Sequence, residues 1–370
     1  MADLPTRVVF KLGSSTLVAD DGSPDLGLIA SVCDQVAELV ARGVGVVIVS
    51  SGAVAAGMGR LAVKERPRDI PGLQACASAG QAALTEAYAV ELARHGVACG
   101  QVLLTRRDVT DRDGYLNARN TLQRLLELGA VPVVNENDTV SVAEFAFGDN
   151  DTLGAIVSTL VSADLYVILS DVDGLYTANP QEDPDARLVP LVRELTPEIA
   201  AMAGGSTSSV GTGGMAAKLR AARASMAAGI PLVICRGREG GVLLRAACED
   251  GVGTRFEPVE GSHEGARKLW IGLAEVVRGT LVLDDGARRA VVESGASVLP
   301  VGVLRAEGEF AAGDVVNVVG ADGSLVGRGV SRYSSDEMAR VHGLRLDVIA
   351  RFMPEKDGQP AIHRDELLVL

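Results

Sequence analysis

Short β-branched runs alternate with amphipathic stretches from the start of the chain to about residue 257, and this rhythm predicts a parallel sheet covered by helices on both faces. Strands are predicted over 7–12, 44–50, 99–105, 130–134, 165–170 and 230–235. Between the first two, Leu26, Ile29, Val32, Cys33, Val36 and Val40 recur at helical spacing, and Gly43 stops the helix just before the next strand. Further helices are predicted over 73–94, 114–128, 152–161 and 215–228. Pro132 falls inside a predicted strand and argues for an edge or bulged position there.

The rhythm breaks after Glu257, where a polar, glycine-containing run reads as a linker over 258–269. Beyond it, over 270–350, short strands and turns such as Asp284-Asp285-Gly286 and Ala321-Asp322-Gly323 predict a small β-barrel-like unit. Residues 351–370 are left as a tail of unassigned role. A length of 370 residues exceeds one average core, so a larger domain over 1–257 and a second, smaller domain are the expected arrangement. No internal repeat or low-complexity tract interrupts it.

Composition changes this picture little. Abundant Ala, Gly and Val suit helices packed closely on a parallel sheet. The net charge of −13 opposes binding to nucleic acid or an anionic membrane, and it means that a phosphate ligand needs locally positive groups. Cys33, Cys76, Cys99, Cys235 and Cys248 are scattered in apolar surroundings without a Cys-x-x-Cys pair, so small buried hydrophobes are expected rather than a disulfide scaffold or a zinc site. The four histidines show no metal-ligand spacing. The first residues carry no leader pattern and no apolar run reaches membrane-spanning length, which gives a cytoplasmic protein as the expectation.

Five segments carry candidate chemistry. Lys11 ends an apolar strand and is followed by Gly13, Ser14 and Ser15; it reads either as a functional cation or as a side chain snorkelling from the strand end. Ser50-Ser51-Gly52-Ala53 follows the second strand, and its small residues either let backbone N–H groups approach a ligand or serve close helix packing. The apolar strand ending at Val134 opens into Asn135-Glu136-Asn137-Asp138, with Gly148-Asp149-Asn150-Asp151 soon after; so many acids and amides read either as a polar surface loop or, at a strand's C-terminal end, as a ligand site, the reading preferred here. Ser170-Asp171-Val172-Asp173-Gly174 ends another strand and suits a nucleotide or its metal-bound phosphates, although Asp173-Gly174 also makes a simple turn. Gly211-Thr212-Gly213-Gly214-Met215 opens onto a helix carrying Lys218 and reads either as a phosphate-cradling loop or as a mobile surface loop. It is not a Walker loop, because Leu219 follows the lysine.

Two lysines, a glycine loop at a helix start and carboxylates, with no candidate histidine base, fit phosphoryl transfer to an acceptor that needs no deprotonation. A carboxylate meets that condition, being ionised at neutral pH.

In this order these motifs, together with Leu103-Leu104-Thr105, Leu116-Asn117-Ala118-Arg119 and Asp173-Gly174-Leu175-Tyr176, resemble the amino acid kinase family, and in particular its glutamate-phosphorylating branch. The resemblance runs to about Gly343, and the C-terminal unit is similar to a PUA domain. It implies the amino acid kinase fold, an open and mostly parallel sheet between helices. It also implies ATP-dependent phosphorylation of the γ-carboxylate of L-glutamate, the first step of proline synthesis, with Mg²⁺ accompanying ATP. By motif it assigns Lys11 and Lys218 to the transferring phosphoryl group and Asp151 to orienting both lysines. Ser51, Asp138 and Asn150 fall to glutamate, with Asp138 suited to the substrate ammonium. Lys11, Ser170, Asp171, Thr212, Gly213, Gly214, Met215, Ala216, Ala217 and Lys218 fall to ATP.

The resemblance further implies feedback inhibition by proline, a homo-oligomer and hand-over of a labile acyl phosphate to glutamyl phosphate reductase, which the length of 370 residues leads us to expect as a separate protein rather than a fused domain. The nearest rivals are kinases acting on acetylglutamate or aspartate. An RNA-binding protein is disfavoured, because acids outnumber arginines over 270–343 and Trp270 is the sole tryptophan.

Overall fold

Strands rich in Val, Ile and Leu and buried on both faces form the centre of the first unit in the computed structural model, which describes residues 4–18, 23–110, 112–141, 149–203, 214–249, 251–258 and 277–369. The chain divides into two compact units near residue 264. The expected linker lies, from residue 259 onward, outside the described residues.

The first unit opens with β1 (Arg7–Leu12), the one-turn α1 (Ser14–Leu17), α2 (Leu26–Ala41), β2 (Gly45–Ser50), α3 (Ala53–Arg60) and α4 (Ile70–Ala93). Then come β3 (Cys99–Leu104), α5 (Arg106–Thr110), α6 (Arg112–Glu127) and β4 (Val131–Glu136). The remainder holds α7 (Asn150–Leu160), β5 (Leu165–Ser170), β6 (Leu191–Val192), α8 (Pro197–Met202), α9 (Met215–Ala227), β7 (Leu232–Arg236), α10 (Val242–Cys248) and β8 (Thr254–Phe256). The short elements α1, α5, α8, α10, β6 and β8 were not predicted; each is too brief to show a period.

These strands form one eight-stranded sheet in the order β3-β4-β2-β1-β5-β7-β8-β6, parallel throughout except for the β7–β8 pair. Because β1 lies inside, the chain builds outward from it on one side through β2, β4 and β3 and on the other through β5 and β7. The carboxyl ends of β1, β2, β4 and β5 therefore open on the crevice where such sheets bind ligands.

Pro132 is neither at an edge nor in a bulge, since β4 lies between β3 and β2. The preceding Val131 N–H points to β3, bonding the Ala98 carbonyl at 2.8 Å, so the missing donor of Pro132 faces β2. Pairing with β2 begins only at Val133, opposite Ile48, one residue beyond the proline.

Helices α3 and α4 meet backbone to backbone. A Cβ on Gly80 would stand 1.8 Å from the Ala53 carbonyl oxygen, and one on Gly57 would stand 1.7 Å from that of Cys76. Gly80→Ala is therefore expected to destabilise the protein by about 2 kcal/mol, as overpacking does. An unchanged denaturation midpoint would show that the two helices separate freely.

In the second unit β9 (Gly279–Leu283), β10 (Val303–Gly308), β11 (Val315–Gly320), β12 (Leu325–Val330) and β13 (Leu367–Val369) form a sheet in the order β10-β9-β11-β12-β13. It is not all-β: helices Asp285–Ser294, Ser335–Val341 and Leu346–Ile349 accompany the sheet. The expected turn at 284–286 is a helix start, where Asp284 caps the helix by accepting from the Ala287 N–H at 2.7 Å. Leu281, Val316, Tyr333, Met338 and Ile349 share a core with Ala361, Ile362 and Leu367 from the last twenty residues. No helix of the described residues is long and apolar enough to cross a membrane.

Candidate active site

Lys11 is the penultimate residue of β1, an interior strand, and its side chain is buried on the face of the sheet that α7 covers. Burying an ammonium is costly without a partner. The partner is Asp151 in the first turn of α7, itself fully buried, with Oδ1 2.6 Å from the Lys11 ammonium. Its other oxygen lies 3.2 Å from the ammonium of Lys218, also buried, in the first turn of α9. Burial pushes the Asp151 carboxyl up, but the charges of Lys11 and Lys218 outweigh it and hold the group below the ordinary value. One carboxylate shared by two ammonium groups leaves this trio with a formal charge of +1, in a protein whose net charge is strongly negative.

Helix α9 adds to that field. Gly214 at its N-cap supplies no side-chain acceptor for the first-turn N–H groups, so that end suits an anion. Met215, Ala216 and Ala217 line the turn between Gly214 and Lys218, with Ala216 exposed and Ala217 buried. Thr212 and Gly213 lie outside the described residues, as does Gly148 of the other motif. Ser170, buried at the end of β5, donates its hydroxyl to Asp171 Oδ1 at 3.0 Å, and Asp171 itself is exposed. The Gly13 N–H bonds the Leu169 carbonyl at 3.3 Å, which ties the segment after β1 to this strand end.

A second, neutral cluster occupies the β2 and β4 side. The Asn150 Nδ2 lies 2.8 Å from the Ser50 carbonyl, 2.9 Å from the Ser51 hydroxyl and 3.0 Å from Asn135 Oδ1. Asn135 is buried and donates in turn to Gln81 Oε1 on α4 at 2.7 Å. Having accepted from Asn150, the Ser51 hydroxyl keeps its own proton to donate. Gly52 takes the left-handed conformation (φ 90°) directly after Ser51, which lets the chain turn from β2 into α3.

Asp138 stands beyond β4, half-buried. Burial first, and then the charge of Glu136, push its carboxyl up to about 6, while Arg66 pulls the other way. A cation bound there would pull it back toward the ordinary range.

The structure thus joins Lys11, Lys218 and Asp151 in one cluster and Ser51 and Asn150 in another. The adjacent residues Asn150 and Asp151 link the two. The sequence reading did not single out Gln81, whose only signal is a polar residue in the buried stretch of α4. It also missed Arg220, which pairs at 3.1 Å with Asp149, the residue that caps α7. The cysteines agree with the sequence reading: Cys33, Cys76 and Cys235 are buried, Cys99 and Cys248 partly so, and none forms a disulfide. Burial pushes the Cys33 and Cys235 thiols up to about 12 and Cys99 up to about 11, away from reactivity.

Comparison with known proteins agrees with this geometry. Residues 6–236 match the amino acid kinase family, and residues 279–353 match the PUA domain. The glutamate 5-kinase of Pelobacter propionicus is 46% identical over 364 residues, covering 98% of this chain and 97% of that one. Those of Geobacter sulfurreducens and Myxococcus xanthus are each 47% identical, over 98% of this chain and 97% and 96% of theirs. Similarity of this degree along both units means that the chain belongs to the glutamate 5-kinases of the amino acid kinase family, in the form that carries a PUA domain.

Proposed function

We propose that this site transfers the γ-phosphoryl group of ATP to the γ-carboxylate of L-glutamate, giving L-glutamyl 5-phosphate for proline synthesis, with the two clusters dividing the work. The observation that carries the division is the buried Asp151 carboxylate shared by Lys11 and Lys218, one residue from Asn150. Lys11 and Lys218 stabilise the charge that spreads over the phosphoryl oxygens, and Asp151 orients them. Ser51 and Asn150 hold the substrate carboxylates by hydrogen bonds, and Asp138 pairs with its ammonium. Ser170, Asp171 and the segment 212–218 hold ATP, whose phosphates meet the start of α9. The acceptor is already ionised, so the transfer needs no histidine base.

Among the described residues no three acids, histidines or cysteines gather to hold a metal. Asp171, an exposed carboxylate at the end of β5, is the hard oxygen donor that Mg²⁺ carried on the nucleotide phosphates would take. When bound, Mg²⁺ would neutralise phosphate charge.

Purified protein incubated with Mg-ATP and hydroxylamine tests the reading. Hydroxamate with L-glutamate, and none with N-acetylglutamate or aspartate, is the expected result. Product only with a rival substrate would keep the fold and overturn the assignment. Proline shares the ammonium-like and carboxylate groups of glutamate, so we take inhibition by proline to act at the glutamate cluster; activity unchanged by saturating proline at limiting glutamate would remove it. A homo-oligomer in the cytoplasm, handing its labile product to glutamyl phosphate reductase, completes the reading. Sedimentation as a monomer and a pull-down without the reductase would remove those two parts.

Asp138 gives a pH prediction. Burial and Glu136 push its carboxyl up to about 6, so well above that value it offers a full charge to the substrate ammonium and well below it does not. The Michaelis constant for glutamate should rise as pH falls through about 6 and be level above about 7. Asp138→Asn should flatten that profile and raise the constant about tenfold, the worth of one charge-assisted hydrogen bond, while sparing that for ATP. If both constants rise together, Asp138 has a structural role.

A further inference from the structure

Tyr166, the second residue of β5, is fully buried, and its hydroxyl is not among the groups assigned above to glutamate or ATP. Phenylalanine would fill the same space without needing a partner. The hydroxyl donates to the backbone carbonyl of Asp151 at 2.9 Å. That carbonyl lies in the first turn of α7, where the helical ladder already supplies it with one donor, so the extra bond is not needed to satisfy the backbone. Helix α7 is also shaped for this contact. A Cβ on Gly154, three residues along on the same face, would stand 2.2 Å from the Tyr166 hydroxyl and 2.6 Å from the ring carbon bearing it. Glycine at 154 lets the helix start sit down on the phenol.

Burial, with the nearby charges of Asp151 and Asp149, pushes the phenol well above its ordinary value, so it stays a donor. The neighbouring Asn150 is held independently by Ser50, Ser51 and Asn135. Of the contacts that seat this turn, the one from Tyr166 falls on the residue that holds the lysines.

We propose that Tyr166 is a positioning residue for phosphoryl transfer: through the Asp151 backbone it fixes the first turn of α7 on β5, and so sets where Asp151 holds Lys11 and Lys218. This rests on the orienting role of Asp151 given above. Its consequence falls on turnover, because the groups that would hold glutamate are anchored separately and only the transfer geometry loosens.

Steady-state kinetics and thermal midpoints of Tyr166→Phe, Asp151→Asn and the double variant test it. Tyr333→Phe serves as control, because it also removes a hydroxyl that donates to a backbone carbonyl, that of Gln359 at 3.0 Å in the second unit. Tyr166→Phe should lower kcat about tenfold with both Michaelis constants within about twofold, as a small misplacement of transfer groups does. Tyr333→Phe should leave all three unchanged. In the Asp151→Asn background the tyrosine change should add less than about twofold, because the group it acts through is gone. A Tyr166→Phe enzyme with full kcat, a raised glutamate constant, multiplicative losses in the double variant or a failure to fold would each overturn the proposal. If Asp151→Asn keeps full turnover while Tyr166→Phe does not, the role of Asp151 fails, and this inference with it.

Discussion

Replacing Lys218 by alanine is expected to lower kcat about a hundredfold or more while the protein remains folded. The side chain is buried, and Asp151 fixes its ammonium before any ligand arrives. A preorganised donor aimed at developing charge contributes about 3 kcal/mol to the transition state, which corresponds to that loss. The fold should survive because Asp151 keeps its 2.6 Å contact with Lys11, so the carboxylate is not left alone. Lys218→Arg should restore little, since a planar guanidinium cannot take the place of a compact ammonium in a buried first turn. Single-turnover rates at saturating ATP and glutamate decide the matter. Near-normal turnover in Lys218→Ala would assign the stabilisation to another group.

Such a prediction was within reach of the sequence because strand ends carry their chemistry in order. Lys11 after an apolar run, the amide and acid cluster after Val134, Ser170 after a strand and Lys218 after a glycine run all stood out as departures from local pattern. A period of hydrophobicity reports which face of an element is buried, but not what it is buried against. The strand order that sets β1 between β2 and β5 was therefore not legible, and neither was the full burial of Asp151, which sits in a run as polar as an exposed loop. Pro132 was misplaced for the same reason: its effect depends on where pairing with β2 begins, a fact of the neighbouring strand. At 284–286 two acids and a glycine suit a turn and a helix start equally, and the helix was decided by the packing of Val291 into the core. Tyr166 and Gly154 looked like ordinary core positions, because their importance lies in one contact between distant segments.

The burial that the sequence hid sets the second large effect. Asp151→Asn keeps the shape of the side chain but leaves two buried ammonium groups without the carboxylate they share. Removing one partner from a buried ionic cluster costs about 3–5 kcal/mol, far more than any exposed pair on this surface would. The thermal midpoint should fall accordingly, and kcat should fall at least as far as in Lys218→Ala, since both lysines lose their orientation. The sign with pH follows from the depressed carboxyl. The contribution of Asp151 to stability is present above the ordinary carboxyl value of 3.8 and is lost as pH falls through its lower folded value. The gap between wild type and variant should therefore be constant from about pH 5 to about pH 8 and close in stronger acid. Mg-ATP should raise the midpoint of the variant more than that of wild type, because the triphosphate returns negative charge to the lysines. Equal shifts with ATP would mean that the phosphates do not reach Lys11 and Lys218, and the division of the site into two clusters would have to be redrawn.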